Sequence, residues 1–218
     1  MANAAAIAMK VVRKLHAARK RPRQRRAARQ FGALPIQPGD IAIDCGANVG
    51  DVTAALHARG AEVWAFEPNP VAFDRLHARF RDVEGVHCEP DAVVTAGSHA
   101  RLYLHRRYAR DPLGHSAGSS LVAAKHNLDE GHWVDVPATV LSDFIASLDR
   151  RVRILKIDVE GTEIELLESL LDSGMIDRVD HVYCETHEFK VPGMYAARRA
   201  LCRRLADEDV SHVNLDWA

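Results

Sequence analysis

Three short stretches hold most of the groups able to do chemistry. Asp44-Cys45-Gly46-Ala47-Asn48-Val49-Gly50 is a glycine-containing turn, and Glu67 follows Gly50 by 17 residues. Much later come Lys156-Ile157-Asp158-Val159-Glu160-Gly161 and, after a further apolar run, Glu185 and His187. Glycines where a strand gives way to a helix let the backbone approach a ligand and aim free N–H groups at it. The spacing here is not the G-x-G-x-x-G of a dinucleotide site, and the acid at Asp44 would repel a pyrophosphate. That acid suits an ammonium group instead, while an acid at Glu67 is placed to accept hydrogen bonds from two ribose hydroxyls. Turn and acid together fit an adenosine that carries a cationic amino acid, S-adenosyl-L-methionine. The plainer alternative is a ligand-free strand–helix turn with Glu67 facing water.

The later acids fit the other half of a methyl transfer. Side chains along an extended segment repeat every two residues, so Lys156, Asp158 and Glu160 share one side, at the carboxyl end of a strand where open α/β sheets bind ligands. Methyl transfer is an in-line displacement in which the sulfonium departs as a neutral thioether. The protein positions the acceptor, and an alcohol acceptor must lose its proton. Asp158, Glu160 and His187 are the expected proton acceptors, with Lys156 keeping a neighbouring carboxylate ionised or orienting the acceptor oxygen. A second reading is a divalent metal held by Asp158, Glu160 and either Glu185 or His187. The spacing matches no dedicated metal loop, and the metal-free reading is taken. A third is structural: Lys156 and Glu160 pair, and Glu160 and Glu163 favour the start of the following helix.

These groups need elements to hold them. Residues 41–45 are a short apolar run, 49–58 have helical spacing, 62–66 are apolar again, and Phe73, Leu76 and Phe80 mark a helix over 70–80. Strands are expected at 86–88, 153–158 and 179–185, and helices at 141–148, 162–172 and 195–206. This alternation predicts an α/β three-layer sandwich with a mostly parallel central sheet. Residues 101–106 and 132–140 alternate apolar and polar residues, as half-exposed strands do. The Gly/Ser-rich Gly114–Ser120 between them reads as a lid or substrate loop.

Composition limits the rest. The chain has 218 residues, 47% hydrophobic and 27% charged, and no apolar run of membrane-spanning length. Its four cysteines form no CxxC pair, so reduced thiols and a cytoplasmic setting are expected. The net charge of −1 divides sharply. Residues 1–39 carry ten Lys or Arg and no acid, leaving 19 basic against 30 acidic groups beyond them, a formal −11. Residues 4–20 favour helix, with Ile7, Val11 and Leu15 on one stripe, and Pro22 disfavours helix at Arg21. Residues 1–39 are therefore expected to be a basic helical arm before a domain at 40–218. The arm would bind nucleic acid, an anionic membrane surface or an acidic partner, or simply dock on the body.

Ile43-Asp-Cys-Gly-Ala-Asn-Val-Gly50, Ala65-Phe-Glu-Pro-Asn-Pro70 and Leu155-Lys-Ile-Asp-Val-Glu-Gly-Thr-Glu163 are similar in order and spacing to FkbM-type methyltransferases. The resemblance runs from about Asp40 to Glu188 and leaves out the arm. It implies the Rossmann-like class I methyltransferase fold, S-adenosyl-L-methionine as cofactor, and O-methylation of hydroxyls on sugars and natural products. By the same resemblance Asp44, Gly46 and Asn48 line the methionine end and Glu67 holds the ribose. Pro68 and Asn69 shape the adenine edge, and Asp91-Ala92 lie near the adenine amino group. Gly50 completes the turn. The resemblance also implies a sheet ending in an antiparallel pair, for which Val210–Leu215 is one available strand.

The expectation is thus a methyltransferase acting on a hydroxyl of a small molecule, natural product or glycan. Its rivals are an RNA methyltransferase that grips nucleic acid through the arm, and a non-catalytic binding module that keeps the fold. A nicotinamide-dependent oxidoreductase ranks behind both, because the glycine pattern is wrong for it.

Overall fold

The structure is a computed structural model that describes residues 21–188 and 190–217. The helix expected over 4–20 lies outside the described residues.

Four short, mostly apolar strands form the middle of the sheet. Ile41–Cys45 (β1) is buried along its whole length, as a strand covered on both faces must be. It pairs in parallel with Glu62–Phe66 (β2) on one side and Val152–Ile157 (β7) on the other. Val86–Glu89 (β3) adds to β2, and Val179–Cys184 (β8) adds to β7. Val213–Asn214 (β9) closes the order β3-β2-β1-β7-β8-β9, every pairing parallel.

Helices cover both faces. Asp51–His57 (α2) and Pro70–Phe80 (α3) lie on one, where Leu56, Leu76 and Phe80 meet Ala42, Val63 and Ala65. Leu141–Ser147 (α4), Glu163–Asp172 (α5) and Met194–Asp207 (α6) lie on the other. There Ile145, Leu167, Leu170 and Leu201 pack on Ile43, Leu155 and Val182. The result is the three-layer α/β sandwich expected.

A second sheet has Ala92–Val94 (β4) beside Leu128–Val140 (β6), and β6 beside His99–His105 (β5). The β5–β6 pairing is antiparallel, and its inward Leu102 and Val136 form a small core with Ala92.

Two expectations change. Residues 21–33 are helical (α1), Arg21 and Pro22 included. A proline disfavours helix at the preceding residue without forbidding it, and burial fixes the helix that follows. Ala27 and Phe31, one turn apart, are buried, and Phe31 packs on Tyr183 and Trp217 at ring-centroid distances of 5.2 and 4.4 Å. Leu34 and Ile36 extend the contact over the sheet face beside α2. The arm's last third is thus part of the core, while Arg21, Arg23, Arg25, Arg26 and Arg29 stay exposed.

The second change is at the far edge. Of the expected strand over 210–215 only Val213–Asn214 pairs, and it runs parallel to β8. The antiparallel ending implied by resemblance does not occur among the described residues. A crossover through α6 returns the chain to the same end of the sheet, so the next strand must run parallel.

Candidate active site

The carboxyl ends of β1, β2 and β7 open into one cleft. Gly46, Asn48, Glu67 and Pro68 form one wall of it, Asp91, Ala92 and Val93 a second, and Asp158, Val159 and Glu160 a third. Leu102 and Leu121 from the small sheet side, with Ser116 and Ser119, complete it.

The first turn is shaped by close approach. Gly46 N and Ala47 N both donate to Phe66 O at 2.9 Å, and Asp158 N donates to Cys45 O at 3.0 Å. Gly46 has φ +77°, and a Cβ there would lie 1.9 Å from Asp158 O, so only glycine fits. Gly50 (φ +86°) is equally fixed, but by packing: a Cβ would meet Phe80 Cε2 at 2.4 Å. It does not line the cleft.

Glu67 joins the two turns. Its Oε2 accepts from Asn48 N and its Oε1 from Asn69 N, both at 2.8 Å. It is 6% exposed. Burial pushes its carboxyl up to about 7, against the pull of those two N–H groups.

Asn69 caps α3, its Oδ1 accepting from Val71 N and Ala72 N. Its amide donates to Ser119 Oγ at 3.1 Å, and Asn48 Nδ2 donates to Ser116 Oγ at 3.0 Å. The Gly/Ser-rich loop is therefore fastened to the turns after β1 and β2, which nothing in its composition foretold. Asn69 itself does not line the cleft. Asp91 does, with Thr139 Oγ1 donating to its Oδ2 at 2.5 Å.

Asp44 and Lys156 go elsewhere than expected. They are register partners on β1 and β7, so both point to the same face. Lys156 Nζ sits 3.0 Å from Asp44 Oδ1 and donates to Gly46 O at 2.7 Å and to Cys45 O at 3.2 Å. Thr53 Oγ1 donates to Asp44 Oδ2 at 2.7 Å. Both side chains are buried beneath the turn, and neither is among the residues that line the cleft. Burial would lower the lysine, but Asp44 and then Asp158 raise it above its ordinary value.

The acids after β7 separate as well. Glu160, at φ +63°, turns away from the strand and is clasped by Lys125 Nζ at 2.6 Å and Lys190 Nζ at 2.9 Å. Burial would raise its carboxyl, yet the His187 hydrogen bond and the two lysines hold it well below the usual carboxylate range. Ser120 Oγ donates to Glu160 O at 2.7 Å and Lys125 Nζ to Gly118 O at 2.8 Å, so this clasp also anchors the loop. Lys125, 2% exposed, was not singled out in the sequence: an isolated lysine beside a polar loop gives no signal of burial.

His187 is buried, with Nδ1 2.7 Å from Glu163 Oε1 and Nε2 3.3 Å from Glu160 Oε1. Burial would lower its pKa, but bonds to Glu160 and Glu163 raise it to about 9. Asp158 has the opposite character. Burial raises its carboxyl above the ordinary value, with Lys156 and His187 opposing, and Oδ1 accepts no hydrogen bond from the described residues. Asp158 and Glu160 thus line the cleft, while His187 stands behind them.

A family model described as "Methyltransferase FkbM domain" matches residues 44–208. The 31-O-demethyl-FK506 methyltransferase FkbM of Streptomyces tacrolimicus is 31% identical over 179 residues, covering 71% of this chain and 68% of that one. Methyltransferase 1 of Beauveria bassiana is 27% identical over 186 residues, with 78% and 73% covered. Among solved structures, an rRNA methylase from Streptococcus thermophilus aligns with a TM-score of 0.42 at 11% identity, over 82% of this chain and 76% of that one. With a match that spans most of its length, including both turns and the acids after β7, this chain belongs to the FkbM methyltransferase family.

Proposed function

We propose that the protein transfers a methyl group from S-adenosyl-L-methionine to a hydroxyl oxygen of a small molecule, natural product or sugar. The observation that carries this is the charge of the cleft. Glu67, Asp91, Asp158 and Glu160 line it, and among the described residues no Lys or Arg does. Such a lining repels a pyrophosphate or a nucleic acid backbone and favours a ligand bearing a sulfonium and an ammonium.

In this reading Glu67 accepts the ribose hydroxyls, with Gly46 and Asn48 at the methionine end and Pro68, Asp91 and Ala92 around the base. Gly50, Asn69, Asp44 and Lys156 act behind the cleft by holding the turns in place. The acceptor oxygen attacks the methyl carbon, the S–CH3 bonding pair returns to sulfur, and the acceptor's proton passes to Asp158. Asp158 is the fitting proton acceptor because burial raises its affinity and one oxygen is uncommitted. Glu160, held ionised by two lysines, orients the acceptor, and His187 fixes Glu160. Sequence similarity to the FkbM of S. tacrolimicus, named for a demethylated FK506, supports a hydroxylated natural product.

An RNA acceptor is the weaker reading. The exposed arginines of α1 favour it, but the acids of the cleft oppose it. Steep salt dependence of RNA binding that disappears when Arg21, Arg25 and Arg29 are replaced by alanine would reinstate it.

The direct test is thermal unfolding with S-adenosylhomocysteine or NAD⁺. A ligand at about 100 times its dissociation constant adds about 2.7 kcal/mol, and for this length that raises Tm by about 5–10 °C. The expected result is a rise with S-adenosylhomocysteine alone that Glu67→Ala abolishes. A rise with NAD⁺ only, or none with either, overturns the reading.

A further inference from the structure

Away from the cleft, the described residues enclose a groove of about 710 Å³ between α1 and the β8–β9 edge of the sheet. Ligand sites commonly run about 300–1,000 Å³, so a small molecule fits in it. The groove and the active-site cleft share no lining residue.

Its two walls come from separate elements. On α1, Arg23, Arg26 and Gln30 follow i, i+3, i+7 spacing and share one face, beside the buried Ala27 and Phe31. On the sheet, Val182 pairs with Val213 and Tyr183 with Asn214. Val182 and Val213 pack into the core beneath α5 and α6. Their alternate neighbours His181, Tyr183, His212 and Asn214 therefore face α1. Asn214 Nδ2 donates to Gln30 Oε1 at 3.4 Å, which ties the strand wall to the helix wall.

Charge sets this groove apart. Its lining carries Arg23, Arg26, His181 and His212 against a single acid, Asp216. Arg198 Nη2 already holds that acid at 3.1 Å. Arg79, Arg153 and Arg204 each sit on a carboxylate, whereas Arg23 and Arg26 form no ion pair among the described residues. The cleft has the reverse character, with four acids and no Lys or Arg in its lining.

We propose that the groove binds the phosphate group of a small molecule, at a site independent of the methyl-transfer cleft. A guanidinium presents parallel N–H donors that match two phosphate oxygens. Side chains three residues apart on a helix are neighbours, so Arg23 and Arg26 can grip one phosphate together. Leu34 and Leu215, also in the lining, offer apolar surface to the organic part of the ligand.

The test is a calorimetric titration of the full chain with phenyl phosphate, one phosphate on an apolar ring, at constant ionic strength. Saturable binding of one molecule per chain is expected. Arg23→Ala and Arg26→Ala should each weaken it at least tenfold. Both side chains are exposed, so the fold should survive, and thermal unfolding checks that it does. Arg75→Ala, exposed on α3 at the opposite edge of the sheet, should leave binding unchanged. No saturable binding, or an equal loss in Arg75→Ala, overturns the site. A short single-stranded RNA that binds through Arg21, Arg25 and Arg29 while phenyl phosphate does not bind also overturns it, and assigns the arginines of α1 to nucleic acid.

Discussion

Glu67 accepts the backbone N–H of Asn48 at 2.8 Å, across 19 residues of chain, while itself lining the cleft. One carboxylate therefore shapes the first turn and faces the cleft. Its folded pKa of about 7 stands above the ordinary 4.5 because of burial. Ribose hydroxyls donate to the ionised form, so S-adenosylhomocysteine should bind more tightly as pH rises from 6 to 8. Calorimetric dissociation constants across that range should fall for the wild type and stay flat for Glu67→Gln. The unliganded protein follows the opposite sign. The stabilisation that this raised pKa provides is complete below pH 4.5 and lost as pH rises through 7.

Lys156 and Asp44 form a buried pair, so removing one partner leaves the other charge stranded. Lys156→Met should cost about 3–5 kcal/mol in urea unfolding. Adding Asp44→Asn should recover part of it. A single variant with wild-type stability would show that the ammonium is not needed beneath the turn.

The hydrogen bonds from Asn48 to Ser116 and from Asn69 to Ser119 hold the loop closed. Ser119→Ala strands the buried Asn69 amide at a cost of about 1–2 kcal/mol. Stopped-flow measurement should show S-adenosylhomocysteine leaving about 5- to 30-fold faster, given that 1–2 kcal/mol is such a factor. An unchanged rate would separate the loop from cofactor retention.

Phe31 anchors α1 between Tyr183 and Trp217. Phe31→Ala should destabilise the whole protein by about 3–5 kcal/mol. Arg25→Ala, on the exposed side of the same helix, should change stability by less than about 0.5 kcal/mol. Equal effects of the two would contradict the docked geometry.

The order of strands and helices was legible because each central strand is a short, mostly apolar run and each long helix carries its own stripe. Phe73, Leu76 and Phe80 are an example. The cleft wall at Gly46, Asn48 and Glu67 was legible for a similar reason: its residues sit at strand ends, where α/β folds bring ligands. What could not be read depends on register between distant segments. Asp44 looks like a ligand group until β7, more than a hundred residues away, sets Lys156 beside it. The Lys125–Glu160 clasp needs a loop and a strand end to meet across 35 residues. β4 spans only three residues, too short for a periodic signal. Ala27, Phe31 and Leu34 do have helical spacing, but the surrounding arginines hid it.

Gly46 and Asp158 touch backbone to backbone with no room for a methyl group between them. In the proposed reaction one belongs to the donor's seat and the other to the acceptor's. The gauge that sets donor-to-acceptor distance is therefore a main-chain contact rather than a side chain. Substrate preference can drift through the surrounding loops while this gauge stays fixed. A residue larger than glycine at position 46 would upset both seats at once.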